Sequence, residues 1–190
     1  MKKIERSEIL PLGEYEAIRD RFRARVVTEK KSRRVRLHED LSLVFENHDT
    51  MLMQVQEMLR TERISAEAGI AHELETYNEL VPADHELSAT LFIEIPDRAR
   101  RDEMLEALCA IEEHVVLECD GRTARATFEE GRRDKGRAAA VQYLKFPLSG
   151  ELEASLREGK RAWLRVDHPK LSSHVELSPA TVASLAGDLA

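Results

Sequence analysis

Leu87-Ser88-Ala89-Thr90-Leu91-Phe92-Ile93-Glu94-Ile95 is the stretch that decides the fold. It is rich in β-branched and aromatic residues, and apolar side chains fall on both of its faces. That pattern predicts a central strand covered on both sides. Pro96-Asp97 stops it, and Asp97 stands where a helix cap belongs, ahead of an apolar stripe of Met104, Leu105, Leu108 and Ile111. Further on, Val115–Cys119 and Thr123–Phe128 flank Asp120-Gly121, a pair that readily supplies the positive φ angles of a two-residue hairpin. The charged segment 129–137, with its two glycines, reads as a mobile hairpin loop. Val141–Phe146, Ala162–Val166 and His174–Leu177 read as further strands, and Ser149–Glu158 as a short helix closed by Gly159. Ser178-Pro179 is a cap followed by proline at the first helical position, opening a last helix with Val182, Leu185 and Leu189.

Upstream of the decisive strand the period changes. Ser7 is read as the cap of a short turn ending near Pro11. Tyr15, Ile18, Phe22 and Val26 recur at helical spacing, predicting a helix over 14–31 with its basic residues facing outward. Arg33–Leu37 and Leu41–Phe45 flank His38-Glu39-Asp40 as a β-hairpin. Asn47 or Asp49 then caps a helix over 50–64, and Ser65 caps another over 66–80 that ends at Pro82. Helices early and antiparallel strands late predict an α+β fold: a helix-rich N-terminal half packed on a mainly antiparallel sheet formed by the C-terminal half. The chain of 190 residues is read as a single domain, with a subdomain boundary near 82–86 as the alternative.

Composition narrows the function classes. Hydrophobic residues make up 42% and charged residues 34%, which is globular with a heavily charged surface. Met1–Glu8 lead into no apolar core of a signal peptide, and no segment approaches the ~20 apolar residues of a bilayer span, so the expected compartment is the cytoplasm, away from membranes. Two cysteines, Cys109 and Cys119, are too few for a disulfide scaffold or zinc ribbon and read as buried thiols. The net charge of −7 argues against nucleic acid as the main partner. Yet residues 19–36 hold nine basic residues against two acids, a local +7 that leaves −14 elsewhere. That window is either a patch for nucleic acid or an acidic partner, or a helix face pairing with acids of the same chain.

The known catalytic patterns are missing: there is no glycine-rich phosphate loop, no Gly-x-Ser-x-Gly and no His-Glu-x-x-His. The seven histidines occur singly, and His72 with Glu75 forms only an ordinary one-turn pair. The candidate site is therefore drawn from polar residues in places that look covered. On the 50–64 helix, Met51, Leu52, Val55, Met58 and Leu59 form the core stripe, while Met53 and Ile64 lie on the far side. A helix covered on two sides leaves Gln54, Gln56, Glu57 and Arg60 partly buried, where they must be hydrogen-bonded. Glu94 is a carboxylate on a central strand and needs a partner, for which Arg60 is the natural choice. With Asn47 and Asp49, these residues either form a structural network or line a pocket or interface where the 47–60 segment meets Glu94. No catalytic residue, metal ligand or cofactor is assigned from these patterns.

Several of these stretches also carry a resemblance. Leu43–Asn47 through Asp49-Thr50, Gln54-x-Gln56-Glu57-Met58-Leu59-Arg60, Glu62–Ile64, Tyr77–Pro82, Glu86–Pro96 and Val141–Phe146 look like a bacterial family of uncharacterised proteins, a domain of unknown function. The match covers roughly residues 1 to 147 and fades after Pro147. Genes of that family often lie near a rubrerythrin-like protein and an iron–sulfur oxidoreductase. The resemblance thus implies a role beside oxidative-stress or electron-transfer proteins, without an iron site here, because the chain has no Glu-x-x-His pair and no cysteine cluster. The family pattern has arginine where this chain has His48, which would make an anion-binding role at that position pH-dependent. Three functions stay open at this level. The first is a non-enzymatic accessory or interaction protein of a cytoplasmic redox system, with a rubrerythrin-like or iron–sulfur partner or a second copy of itself. The second is a small-molecule- or metal-binding protein, enzyme or not, using Asn47, Asp49, Gln54, Gln56, Glu57, Arg60 and Glu94. The third is nucleic-acid binding through residues 19–36.

Overall fold

The structure, a computed structural model, describes residues 1–128 and 136–189. Residues 87–93 do form a central strand. Strand β3 (Glu86–Ile93) pairs antiparallel with β2 (Leu41–Glu46) on one side and β6 (Val141–Pro147) on the other. With β1 (Arg34–His38) they make a sheet ordered β1-β2-β3-β6. A second antiparallel sheet, ordered β5-β4-β7-β8, is built from β4 (Val115–Cys119), β5 (Arg122–Arg125), β7 (Ala162–His168) and β8 (Leu171–Glu176). Thr127 and Lys145 exchange two backbone hydrogen bonds of 2.7 and 2.9 Å and join the sheets on one side, while β1 lies beside β8 on the other.

Alternation along the strands explains the two layers. Leu41, Leu43 and Phe45 of β2 and Leu87, Ala89, Leu91 and Ile93 of β3 point inward. There they share one core with Val115, Leu117, Leu164 and Val166 of the second sheet. The opposite face of β2 and β3 carries Ser42, Val44, Glu46, Ser88 and Thr90, all buried as well. Helices α1 (Leu12–Arg33), α2 (His48–Thr61) and α3 (Glu67–Asn78) form the layer outside this sheet. A second apolar cluster of Met51, Val55, Leu59, Ile70, Leu74 and Tyr77 knits α2 to α3, with Tyr143 of β6 packed against it. At ~25 cal/mol per Å² of apolar surface removed from water, these two clusters supply most of the drive to fold.

The turns and caps follow the chemistry of their residues. Asp120 and Gly121 both take positive φ, +51° and +75°, as a two-residue hairpin turn requires. Asn47 caps α2: its side chain accepts from the Thr50 amide at 3.0 Å while the Thr50 hydroxyl accepts from the Asn47 amide at 2.9 Å. Asp97 caps α4 (Arg98–Ala107), Ser149 caps α5 (Gly150–Arg157), and Ser178 caps α6 (Pro179–Asp188), with Pro179 in its first turn.

The fold is α+β, with corrections to its layout and to two of its caps. Helices are spread through the chain, α4, α5 and α6 lying in the second half, and the strands form two sheets that draw on both halves. Ser65 does not cap α3; Ala66 occupies that position without a side-chain hydrogen bond. The turn before Pro11 is a 3-10 turn over Arg6–Glu8, with Glu5 rather than Ser7 at its N-cap. Most of the loop expected over 129–137 lies outside the described residues.

Candidate functional site

Each of the seven residues selected from sequence is tied to a neighbour. Asn47, besides capping α2, donates to Glu29 Oε1 at 2.5 Å. Asp49 pairs with Arg25. Gln54 bonds to Tyr77. Gln56 is buried and grips the backbone of Leu10, accepting from its amide at 2.7 Å and donating to its carbonyl at 3.4 Å. Glu57 receives the Tyr15 hydroxyl at 2.7 Å and a two-pronged contact from Arg19 at 2.8 and 2.9 Å. The Arg19 bonds hold the Glu57 carboxyl down at about 2, while burial and the bond to Glu57 push the Tyr15 phenol up.

The expected Arg60–Glu94 pair does not form. Arg60 is spent on Glu16 of α1 at 2.6 Å. Glu94, just past the end of β3, is held by Ser42 at 2.6 Å and Arg34 at 3.1 Å, with Arg36 at 3.9 Å. The Ser42 bond, followed by Arg34, lowers its pKa. Glu94 lies beside the hairpin end of β1 and β2, where its amide bonds Asp40 O at 2.8 Å. Arg60 sits at the far end of α2, against the start of α1. The 47–60 segment and Glu94 thus belong to separate hydrogen-bond networks.

The basic window 19–36 is largely paired within the chain. Arg19 and Arg23 reach Glu57, Arg25 reaches Asp49, Lys30 reaches Glu46, and Arg34 and Arg36 reach Glu94. Arg33, expected to open the first hairpin strand, is instead the last residue of α1 and only 1% exposed. It donates to the carbonyls of Phe45 and Glu46 at 2.8 and 3.1 Å and to Ser184 at 2.8 Å, and it pairs with Asp188 of α6. Burial raises the Asp188 pKa, with the Arg33 bonds opposing. The place of Arg33 on the helical face of Tyr15 and Val26 is the sequence signal, which a helix read as ending at residue 31 leaves out; the return of α6 onto the end of α1 buries it.

Other chemical groups are similarly occupied. His48 faces carboxylates, Glu8 at 3.1 Å and Asp49 at 3.5 Å, surroundings that oppose a bound anion. The ligand atoms of His38, Glu39 and Asp40 lie within 4.8 Å of one another, but the Arg100 guanidinium already bridges both Asp40 oxygens at 2.9 and 2.5 Å. Cys119 is buried, which raises its thiol pKa; Cys109 is half-buried. On the second sheet, Arg125, His114 and Arg165 hold Asp167 at about 2. Trp163 lies there between Arg161 and His174, at 5.1 and 6.2 Å.

A groove of about 740 Å³ opens elsewhere, between the end of α3, strand β6 and the N-terminal segment. Leu80, Val81, Pro82, Phe128, Val141 and Tyr143 give it apolar lining, and Lys3, Asn78, Gln142 and Lys145 are among its polar lining. Val141 is 46% exposed, one of two large hydrophobic side chains so exposed among the described residues. Lys145 pairs with Glu86 at 3.1 Å. None of the seven residues chosen from sequence lines this groove. Its signal was present in the chain: Tyr77–Pro82 and Val141–Phe146, two of the stretches that carry the family resemblance, supply much of its wall.

Among the described residues the architecture is a β-sheet core wrapped by helices, with an apolar groove beside β6. Residues 3–189 match the family described as protein of unknown function (DUF3501), and the chain belongs to it. A solved structure from Burkholderia pseudomallei K96243, described as a novel protein of unknown function, is similar at 35% identity and a TM-score of 0.94, covering 100% of both chains. No curated protein matches the chain.

Proposed function

We propose that this protein is a non-enzymatic interaction protein that engages its partner through the groove between β6 and the end of α3. The observation that carries this reading is the groove itself. Its size is that of a site taking a few side chains or a small ligand. It also collects exposed apolar surface, Val141 included, on a molecule whose other large hydrophobics are mostly covered. The pairing of the 19–36 window with acids of the same chain supports reading that window as an intramolecular ion-pair face rather than a nucleic-acid surface.

The resemblance supplies the class of partner: a rubrerythrin-like or iron–sulfur protein of a cytoplasmic redox system. The test is isothermal titration of the purified chain with such a protein from the same host. Saturable binding, lost on Val141→Asp with the melting temperature unchanged, is the expected result. Absence of heat at the highest reachable concentrations, or binding indifferent to Val141→Asp and Tyr143→Ala, would overturn it.

A further inference from the structure

Residues 1–10 contain no regular structure beyond a 3-10 turn at Arg6–Glu8, yet they are firmly held. Ile4 and Ile9 are each 4% exposed and belong to the same apolar cluster as Met51, Val55, Leu59, Ile70 and Leu74. The backbone is gripped twice by side-chain amides. Asn78 accepts from the Ile4 amide at 2.8 Å and donates to the Ile4 carbonyl at 3.0 Å, and Gln56 does the same for Leu10. Arg6 adds a two-pronged contact to Glu67 at 2.6 and 2.8 Å. The segment then reaches Pro11, the N-cap residue of α1. A side-chain amide that takes both the amide and the carbonyl of one residue reads an extended chain much as a neighbouring strand does.

We propose that the cleft between α2 and α3 recognises this segment in trans as well as in cis, so that two copies of the chain join by exchanging residues 1–10. The cleft contacts the segment through backbone clamps and two isoleucine sockets, and the identical segment of a second copy satisfies all of them. Exchange at the Pro11 hinge needs no new complementary surface, which makes it a low-cost route to a dimer. Within one copy the tethered segment has a high effective concentration, so the exchanged dimer is favoured only in concentrated solution. An exchanged segment also brings the second copy's Met1 and Lys3 to the groove, since both line it.

The test is complementation. One copy carries Ile4→Asp with Ile9→Asp, an unusable segment over an intact cleft. The other carries Gln56→Ala with Asn78→Ala, an intact segment over a weakened cleft. Light scattering should show each alone as a monomer and the mixture as a 1:1 dimer. A synthetic peptide of residues 1–10 should produce a saturable rise in the melting temperature of the first variant. A second measurement uses the unaltered chain, in case either variant fails to fold. The Met1 ammonium lies 3.2 Å from Asp84, so zero-length cross-linking joins them. In a concentrated mixture of isotope-labelled and unlabelled copies, mixed heavy–light Met1–Asp84 products are expected. Products confined to one isotope, with no peptide effect and no mixed dimer, would overturn the exchange. Either result leaves the reading of the groove to its own titration.

Discussion

Arg33 is the residue whose environment most exceeds what its neighbours in sequence suggest. It is one of nine basic residues in an 18-residue window, yet on α1 it falls on the same helical face as Tyr15, Phe22 and Val26. Its burial depends on α6, some 150 residues away, closing over it with Ser184 and Asp188. Removing one partner of a buried pair leaves the other uncompensated, so Arg33→Met should cost about 3–5 kcal/mol in urea unfolding, and Arg33→Met with Asp188→Leu should recover part of it. Glu57 carries the acid dependence of the helix layer. Its folded pKa of about 2 lies below the ordinary 4.5. The stability it contributes is therefore complete above pH 4.5 and lost as pH falls toward 2, on the order of 2–3 kcal/mol. Asp188 has the opposite sign: its raised pKa makes protonation favour the folded state, so it softens the acid loss. Glu57→Gln should flatten the acid limb of a urea-midpoint profile between pH 2 and 5; an unchanged limb would remove Glu57 from that role.

At the scale of elements, much was legible. The alternation in Leu41–Phe45, the Asp120-Gly121 turn, the Asn47, Asp97 and Ser178 caps and the two-sided Leu87–Ile93 strand are local patterns, and local sterics and hydrogen bonding enforce them. The assembly was less legible, because it rests on long-range pairings. The register of β4 with β7, the Thr127–Lys145 junction between sheets and the partners of Arg60 and Glu94 leave no mark in nearby residues. The same holds for the site: conspicuous polar residues of α2 proved to be bound to α1, α3 and the N-terminal segment, whereas the groove is made of ordinary apolar residues from distant stretches. Asn47 both caps α2 and holds Glu29, so Asn47→Ala should lower stability by about 1–2 kcal/mol without melting the rest of the helix. Thermal unfolding with amide exchange across 48–61 would separate those effects.

For the whole molecule, the distribution of surface is the informative quantity. The first sheet is covered by helices, ion pairs satisfy most of the basic window, and no helix among the described residues is long and apolar enough to cross a membrane. Among the described residues, the groove is the apolar opening that stands out, with Val141 in its lining. Val27 provides an internal control, since it is equally exposed at 46% but lies on α1 and does not line the groove. The most direct measurement places a photo-crosslinking amino acid at position 141 or at position 27 in cells of the host and identifies the products by mass spectrometry. A redox protein joined through position 141 and not through position 27 is the result this account predicts. No protein joined at 141, or the same proteins joined equally at 27, would contradict it.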